Sequence, residues 1–300
     1  MTDIQFNRRK FIQKSMLGFG VLSTLSFTLK DGLPIPMPRS YTVKDIMDII
    51  FKEGELSPIP NTVDTLKSGT SDQMVTGIVS TMFATLPVIE EAHNRGANFI
   101  ITHEPTYYNH ADSIHFVENN QVLKQKMAVL EKYKMVVWRF HDYCHTLKPD
   151  AISYGFAQKM GWEDSFSANQ RILNIPSLSL KELIQQLKAQ LNIKHLRFIG
   201  DIQASCSKIG LIPGAAGGQG HISLLETDKP DVLIVGECPE WETVEYLRDS
   251  RFFGNKVSLI ILGHGLSEAV GMEYFADWLK PKLPDMKISY IPFQDPFTWI

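Results

Sequence analysis

The chain has 300 residues, 44% of them apolar and 21% charged, with a formal net charge of -3. That is core enough for one large or two moderate domains, and it lacks the basic face that nucleic-acid binders carry. Cys144, Cys206 and Cys238 stand apart with no C-x-x-C spacing, which argues against a disulfide framework and a structural zinc knuckle.

In chain order, residues 1–38 read as a targeting segment. Asn7-Arg8-Arg9-Lys10-Phe11 places an arginine pair before a hydrophobic residue, and residues 16–29 are uncharged and mildly apolar. That stretch is too short to span a bilayer comfortably. The pattern resembles a twin-arginine export signal, which implies an exported, periplasmic protein. No A-x-A cleavage site precedes the proline-rich residues 33–38, so the segment could stay attached as an anchor. No other stretch is apolar for long enough to cross a membrane.

From residue 41 helix and strand patterns alternate. Thr42 is placed to cap a helix with Val43, Ile46, Ile49 and Ile50 on one face. Strands are expected at 74–82, 99–102 and 135–140, and helices at 86–95, 117–134 and 151–160. Pro87 sits in the first turn of the second helix, and Gly96 and Gly161 follow helix ends. The middle reads as strand 171–175, a helix capped by Ser179, strands 196–199 and 208–212, then a glycine-rich turn over 214–220. Strand 231–235, helix 240–250, strand 257–262, helix 267–279 and strand 287–291 complete the chain. Such alternation predicts an α/β fold, a mainly parallel mixed sheet flanked by helices. Residues 163–227 are expected to form a second, smaller inserted α/β domain, leaving 39–162 plus 228–300 as the main one.

The chemistry concentrates at strand ends. The apolar run Phe99-Ile100-Ile101 ends in Thr102, His103 and Glu104 before Pro105 stops it. Open α/β sheets place ligands at such carboxyl ends. A second strand end delivers residues 141–145, read H-D-Y-C-H, and a third delivers His264. His264 and Glu268 are four apart, so both side chains can converge on one ion. Any one histidine at a strand end is as easily a hydrogen-bonded surface residue. Three such ends together argue for imidazole and carboxylate donors suited to zinc, manganese or iron. The donors outnumber what one tetrahedral ion needs. A carboxylate such as Glu268 can bridge, so two ions about 3.5 Å apart are expected.

I-T-H-E-P-T resembles the I-x-H-H-P segment of the dinuclear-metal-centre hexameric proteins, the GTP cyclohydrolase type 2-like or NGG-interacting-factor-like family. L-G-H-G-L-S-E resembles that family's G-H-x-x-[ST]-E segment, Val235-Gly236-Glu237 its T-G-E segment, and residues 214–220 its G-G-x-G turn. The resemblance implies a two-domain α/β protein assembling as a homohexamer. It also implies two divalent ions per chain held by His103, Glu104, His145, His264 and Glu268. Two positions depart from the pattern. Glu104 stands where a second histidine is usual, and His145 where an aspartate is usual, four residues after a histidine matched by His141. The summed donor set is kept.

Glu237, Asp142, His110 and His141 are candidates for supporting or proton-transfer roles beside the ligands. Glu237 and Asp142 could equally be helix N-terminal carboxylates. His110 and His115 could line the mouth of the site, although His115 reads better as a solvated histidine. Tyr107, Tyr108, Tyr143 and Trp241 could form an aromatic wall or pack in the core. The glycine-rich turn could cradle a phosphate, but a tight strand-to-helix connection is the better reading. His93, His195 and His221 read as structural. Two functions fit: an exported metal-dependent hydrolase acting on a small, nucleotide-like or cyclic amide substrate, or a non-catalytic metal-binding or scaffold oligomer. Neither calls for nucleic acid or a stable membrane span beyond the N-terminal segment.

Overall fold

The computed structural model describes residues 39–168, 171–298 and 300. The export segment expected over residues 1–38 lies outside the described residues. Among the described residues, no helix is long and apolar enough to cross a membrane.

The fold is mixed α/β, as the alternation predicts, but it is built on two five-stranded sheets. The first has strand order β1-β4-β3-β2-β10. Its members are β1 (Leu66–Ser68), β2 (Ile78–Thr81), β3 (Phe99–Thr102), β4 (Val136–Arg139) and β10 (Ile288–Tyr290). β1 runs antiparallel to β4, and the other neighbours are parallel. Every residue of β2, β3 and β4 is buried, which is why these stretches lack the apolar–polar alternation of half-exposed strands. The second sheet has order β5-β7-β8-β9-β6. It contains β5 (Ile172–Ser179), β6 (Arg197–Ile199), β7 (Ser205–Ile212), β8 (Val232–Val235) and β9 (Ser258–Ile261). β7, β8 and β9 are parallel, while β5 and β6 form antiparallel edges.

Residues 228–300, grouped from sequence with 39–162, divide between the two sheets. Only β10 joins the first; β8 and β9 continue the sheet begun by β7. Successive apolar strands joined by helices tend to become neighbours. Here α7 (Gly217–Asp228) and α8 (Glu245–Phe252) make those joins.

The helix caps follow the sequence signals. Thr42 and Asp45 form a capping box on α1 (Val43–Glu53), and Ser179 and Glu182 another on α6 (Leu180–Gln190). α2 (Leu86–Asn94) carries proline in its first turn. The expected helix 117–134 is α3 (Gln121–Lys132), starting later because the Asn120 side chain caps it.

α9 (His264–Leu279) ties the two sheets together. It begins just after β9, and the Met272 carbonyl accepts from Ser80 Oγ of β2 at 2.7 Å. It lies against α5 (Ala151–Met160) through Gly155 and Gly271. A Cβ on Gly155 would fall 2.7 Å from the Gly271 Cα, so the backbones approach more closely than any side chain permits. α9 starts three residues before the expected position, because the turn at Gly263 takes a positive φ and ends the strand abruptly.

Candidate metal centre

β3 ends at Thr102, and the next two residues drop His103 and Glu104 into the interior, 0% and 6% exposed. β4, in register beside it, ends at Arg139. Residues 141–145, read from sequence as a strand end, are largely the short helix α4 (Asp142–Thr146). Asp64 organises that turn. Its carboxylate accepts from the backbone N–H groups of His141 and Tyr143, both at 2.8 Å. Burial pushes the Asp64 carboxyl up.

The expected ligands His103, Glu104, His145, His264 and Glu268 come together, and His141 joins them. Donor atoms of His103, His141 and His145 lie within 4.8 Å of one another, as do those of His103, Glu104 and Glu268. Nε2 of His264 is 3.0 Å from Glu104 Oε1 and 3.0 Å from Glu268 Oε2. His141, read from sequence as a supporting residue, has its Nε2 3.7 Å from Glu104 Oε1.

The four imidazoles are held alike. Nδ1 of His103 donates to the Phe140 carbonyl at 3.3 Å. Nδ1 of His141 lies 2.9 Å from Asp142, that of His145 3.3 Å from Asp150, and that of His264 2.8 Å from Glu237. Each ring is fixed through one nitrogen, leaving Nε2 as the other, the arrangement by which oxygen partners orient metal-binding histidines. Glu237 and Asp142, candidates from sequence, take this role. Asp150 does too through Oδ2, while its Oδ1 accepts from the Ile152 and Ser153 N–H groups and caps α5. Sequence reasoning does not single out Asp150.

Two buried atoms test whether these residues fit a cation. His103 Nε2 and Glu268 Oε2 face each other at 3.6 Å, and neither has a hydrogen-bond partner. A carbonyl can only accept, so the proton of His103 sits on Nδ1 and a lone pair remains on Nε2. Burial, then the charges of His145 and His141, hold the His103 imidazole well below its ordinary pKa, and so neutral. A lone pair facing a carboxylate oxygen in a dry interior is costly. A divalent cation is the group that both would accept.

The carboxylates show the same appetite for positive charge. Burial alone would lower the pKa of His264. The hydrogen bond to Glu104 and the charges of Glu104 and Glu268, each 3.0 Å from its Nε2, instead raise it to about 11. Burial would raise the Glu104 carboxyl, but His264, His141 and Arg139 together lower it. His145 is raised despite burial, mainly by Asp150.

The glycine-rich turn does a different job from holding phosphate. Gly217, Gly218 and Gly220 belong to α7. Gly214, at φ +70°, leaves room for Glu268: a Cβ there would lie 2.2 Å from Glu268 Oε1. The Gly214 N–H donates to Ser267 Oγ at 3.0 Å, and its carbonyl accepts from the Glu237 N–H at 2.7 Å. One turn thereby seats Glu268 and Glu237 together.

His110 is exposed at the mouth, its ring edge-on to His141 at 5.6 Å. His115 is solvated, and Trp241 is 81% exposed, so neither contributes a wall. Tyr143 is buried and accepts from the Ile59 N–H, which makes it a packing residue. His221, read as structural, is buried against the Thr243 hydroxyl.

Asp64 gives a test of this framework. Asp64→Ala strands two N–H groups, and thermal unfolding is expected to show a loss of roughly 1–3 kcal/mol. Asp64→Asn, which keeps one acceptor oxygen, should lose less. Equal stability of Asp64→Ala and wild type would mean that α4 holds His141 and His145 without Asp64.

A family model described as Duf34/NIF3 (NGG1p interacting factor 3) matches residues 44–296. The chain is 24% identical over 271 residues to a "GTP cyclohydrolase 1 type 2 homolog" of Clostridium perfringens, covering 86% of this chain and 97% of that protein. Its fold is similar to that of the Staphylococcus aureus hypothetical protein SA1388, at TM-score 0.69 and 19% identity, covering 86% of this chain and 99% of that one. It is also similar to a Bacillus cereus protein related to NIF3, at TM-score 0.70 and 14% identity, covering 87% and 99%.

Proposed function

The chain belongs to the Duf34/NIF3 family, and from that membership and the donor cluster we propose that it is a dinuclear divalent-metal hydrolase. The observation that carries the reading is the set of four imidazoles, each braced through Nδ1, around the carboxylates Glu104 and Glu268. Two donor groups overlap at His103, one rich in imidazole and one rich in carboxylate. His103 has a single unpaired nitrogen and can serve only one ion. Glu268 has two oxygens and would be the residue able to serve both ions. When bound, divalent zinc, iron or manganese would polarise a substrate oxygen and make a water nucleophilic near neutral pH.

The residues of the chain supply the rest. Asp142, Asp150 and Glu237 keep the rings of His141, His145 and His264 from turning. Glu237, 59% exposed at its side chain, stands at the rim as an acceptor for a proton leaving the nucleophile. His110 stands beside His141, where a substrate anion would enter. The name of the Clostridium relative supports a nucleotide-like or cyclic amide substrate. The full-length chain, loaded with zinc, iron or manganese, is expected to hydrolyse at least one compound from a panel of nucleotides and cyclic amides. Metal exchange without turnover on any of them would favour a metal-holding scaffold instead.

Ion uptake should also be proton-coupled. Because the folded pKa of His264 is raised from 6.5 to about 11, the stability it gives the ion-free chain is fully present below pH 6.5. That contribution is lost as pH rises toward 11. A ligand imidazole must be deprotonated, so calorimetric titration with zinc at pH 8, in buffers of differing ionisation enthalpy, is expected to show about one proton released per chain from His264. His264→Ala should abolish that release; an unchanged proton count would remove His264 from the site.

The family resemblance further supports a homohexamer, and the arginine pair of residues 8 and 9 an exported location. Sedimentation of a monomer would contradict the first. Export of a reporter fused to residues 1–40, persisting after Arg8 and Arg9 both become lysine, would contradict the twin-arginine route.

A further inference from the structure

Arg139 is wholly buried at the end of β4, the first charged residue after an apolar strand. Its guanidinium meets four acceptors. Nε donates to the His103 carbonyl at 3.3 Å, and Nη1 to the His110 carbonyl. Nη1 also lies 3.5 Å from Asp112 Oδ2, and Nη2 lies 3.4 Å from Glu104 Oε2. Asp112 is braced in turn by Lys67 Nζ at 3.3 Å and by the Tyr107 N–H at 2.7 Å. Lys67 and Arg139 thus balance Asp112 and Glu104 in an interior where an unpaired charge would be expensive.

The two oxygens of Glu104 are therefore divided. Oε2 faces Arg139. Oε1 faces the donor cluster, 3.0 Å from His264 and 3.7 Å from His141. Glu268 differs, since its buried Oε2 has no hydrogen-bond partner and no cation beside it other than the imidazoles. We propose that Arg139 is a positioning residue: by holding Oε2 it makes Glu104 a one-oxygen, charge-compensated ligand, and it fixes the segment carrying His103 and His110 at the same time. A flat guanidinium can reach four acceptors on three sides, which the point charge of lysine cannot. This inference rests on the reading of the cluster as a metal centre.

The test uses cobalt(II) as probe on the full-length chain, following affinity and visible ligand-field bands. Arg139→Lys and Arg139→Gln both retain N–H donors, and circular dichroism establishes that they fold. Each is expected to bind cobalt about 10–100-fold more weakly, the usual cost of losing an oxygen's outer partner, with shifted bands. Affinities within about twofold of wild type and identical bands would overturn the proposal while leaving the metal reading intact. A wild-type chain that takes up no cobalt would overturn both.

A second pair of variants does not depend on the folding of the Arg139 changes. In Glu104→Gln, Arg139 would draw the amide oxygen to itself and turn the NH2 group toward the ion. Glu104→Gln should then bind cobalt no better than Glu104→Ala. Clearly tighter binding by the glutamine variant would mean that the amide is free to turn, and Arg139 would not be controlling it.

Discussion

Glu268→Gln is expected to empty the metal centre while leaving the fold in place. Glu268 is 3% exposed and lies within 3.0 Å of His264 and 3.6 Å of His103. The glutamine has the same shape, so packing against Gly214 is preserved. Its amide carries no charge and offers one oxygen where a bridge needs two. If Glu268 bridges two ions as proposed, both would depend on it, so the loss should exceed the roughly 10–100-fold typical of an outer partner. It would be read as loss of bound zinc by elemental analysis, beside an unchanged circular dichroism spectrum. Retention of wild-type zinc would show that Glu268 is a supporting group and not a ligand.

Gly214→Ala is expected to damage both stability and ion binding, by a different route. The residue sits at φ +70°, where a side chain costs about 1–3 kcal/mol. The added Cβ would also collide with Glu268 Oε1 at 2.2 Å, and overpacking of this kind costs a further 1–3 kcal/mol or so. Together these amount to roughly 2–6 kcal/mol, or about 4–24 °C in melting temperature for a domain of this size. Glu268 cannot retreat without leaving His103 and His264, so zinc content should fall with stability. A variant with full zinc content and a wild-type melting temperature would mean that this turn does not seat Glu268.

Much of this was legible before any coordinates. The capping boxes at Thr42 and Ser179, the buried runs at Phe99–Thr102 and Val136–Arg139, and the strand-end histidines are local signals that the fold respects. Sheet membership was less legible. β8 and β9 resemble the strands of the first sheet in composition, and only their pairing with β7 places them in the second. The framework of the centre was the least legible. Asp64 acts on residues 77 and 79 positions away, and nothing in its local sequence marks it. Arg139 lies inside the expected strand 135–140 with nothing in sequence to single it out, yet it is buried and reaches Glu104 across the strand pair. From sequence His141 is a supporting candidate only. In the fold Asp142 fixes the His141 ring beside the other donors.

Elemental analysis of the full-length chain, beside His264→Ala, tests the central claim most directly. About two divalent ions per chain, lost or reduced in the variant, is the predicted result. No bound ion in the wild-type chain, even after reconstitution with zinc, iron and manganese, would contradict it.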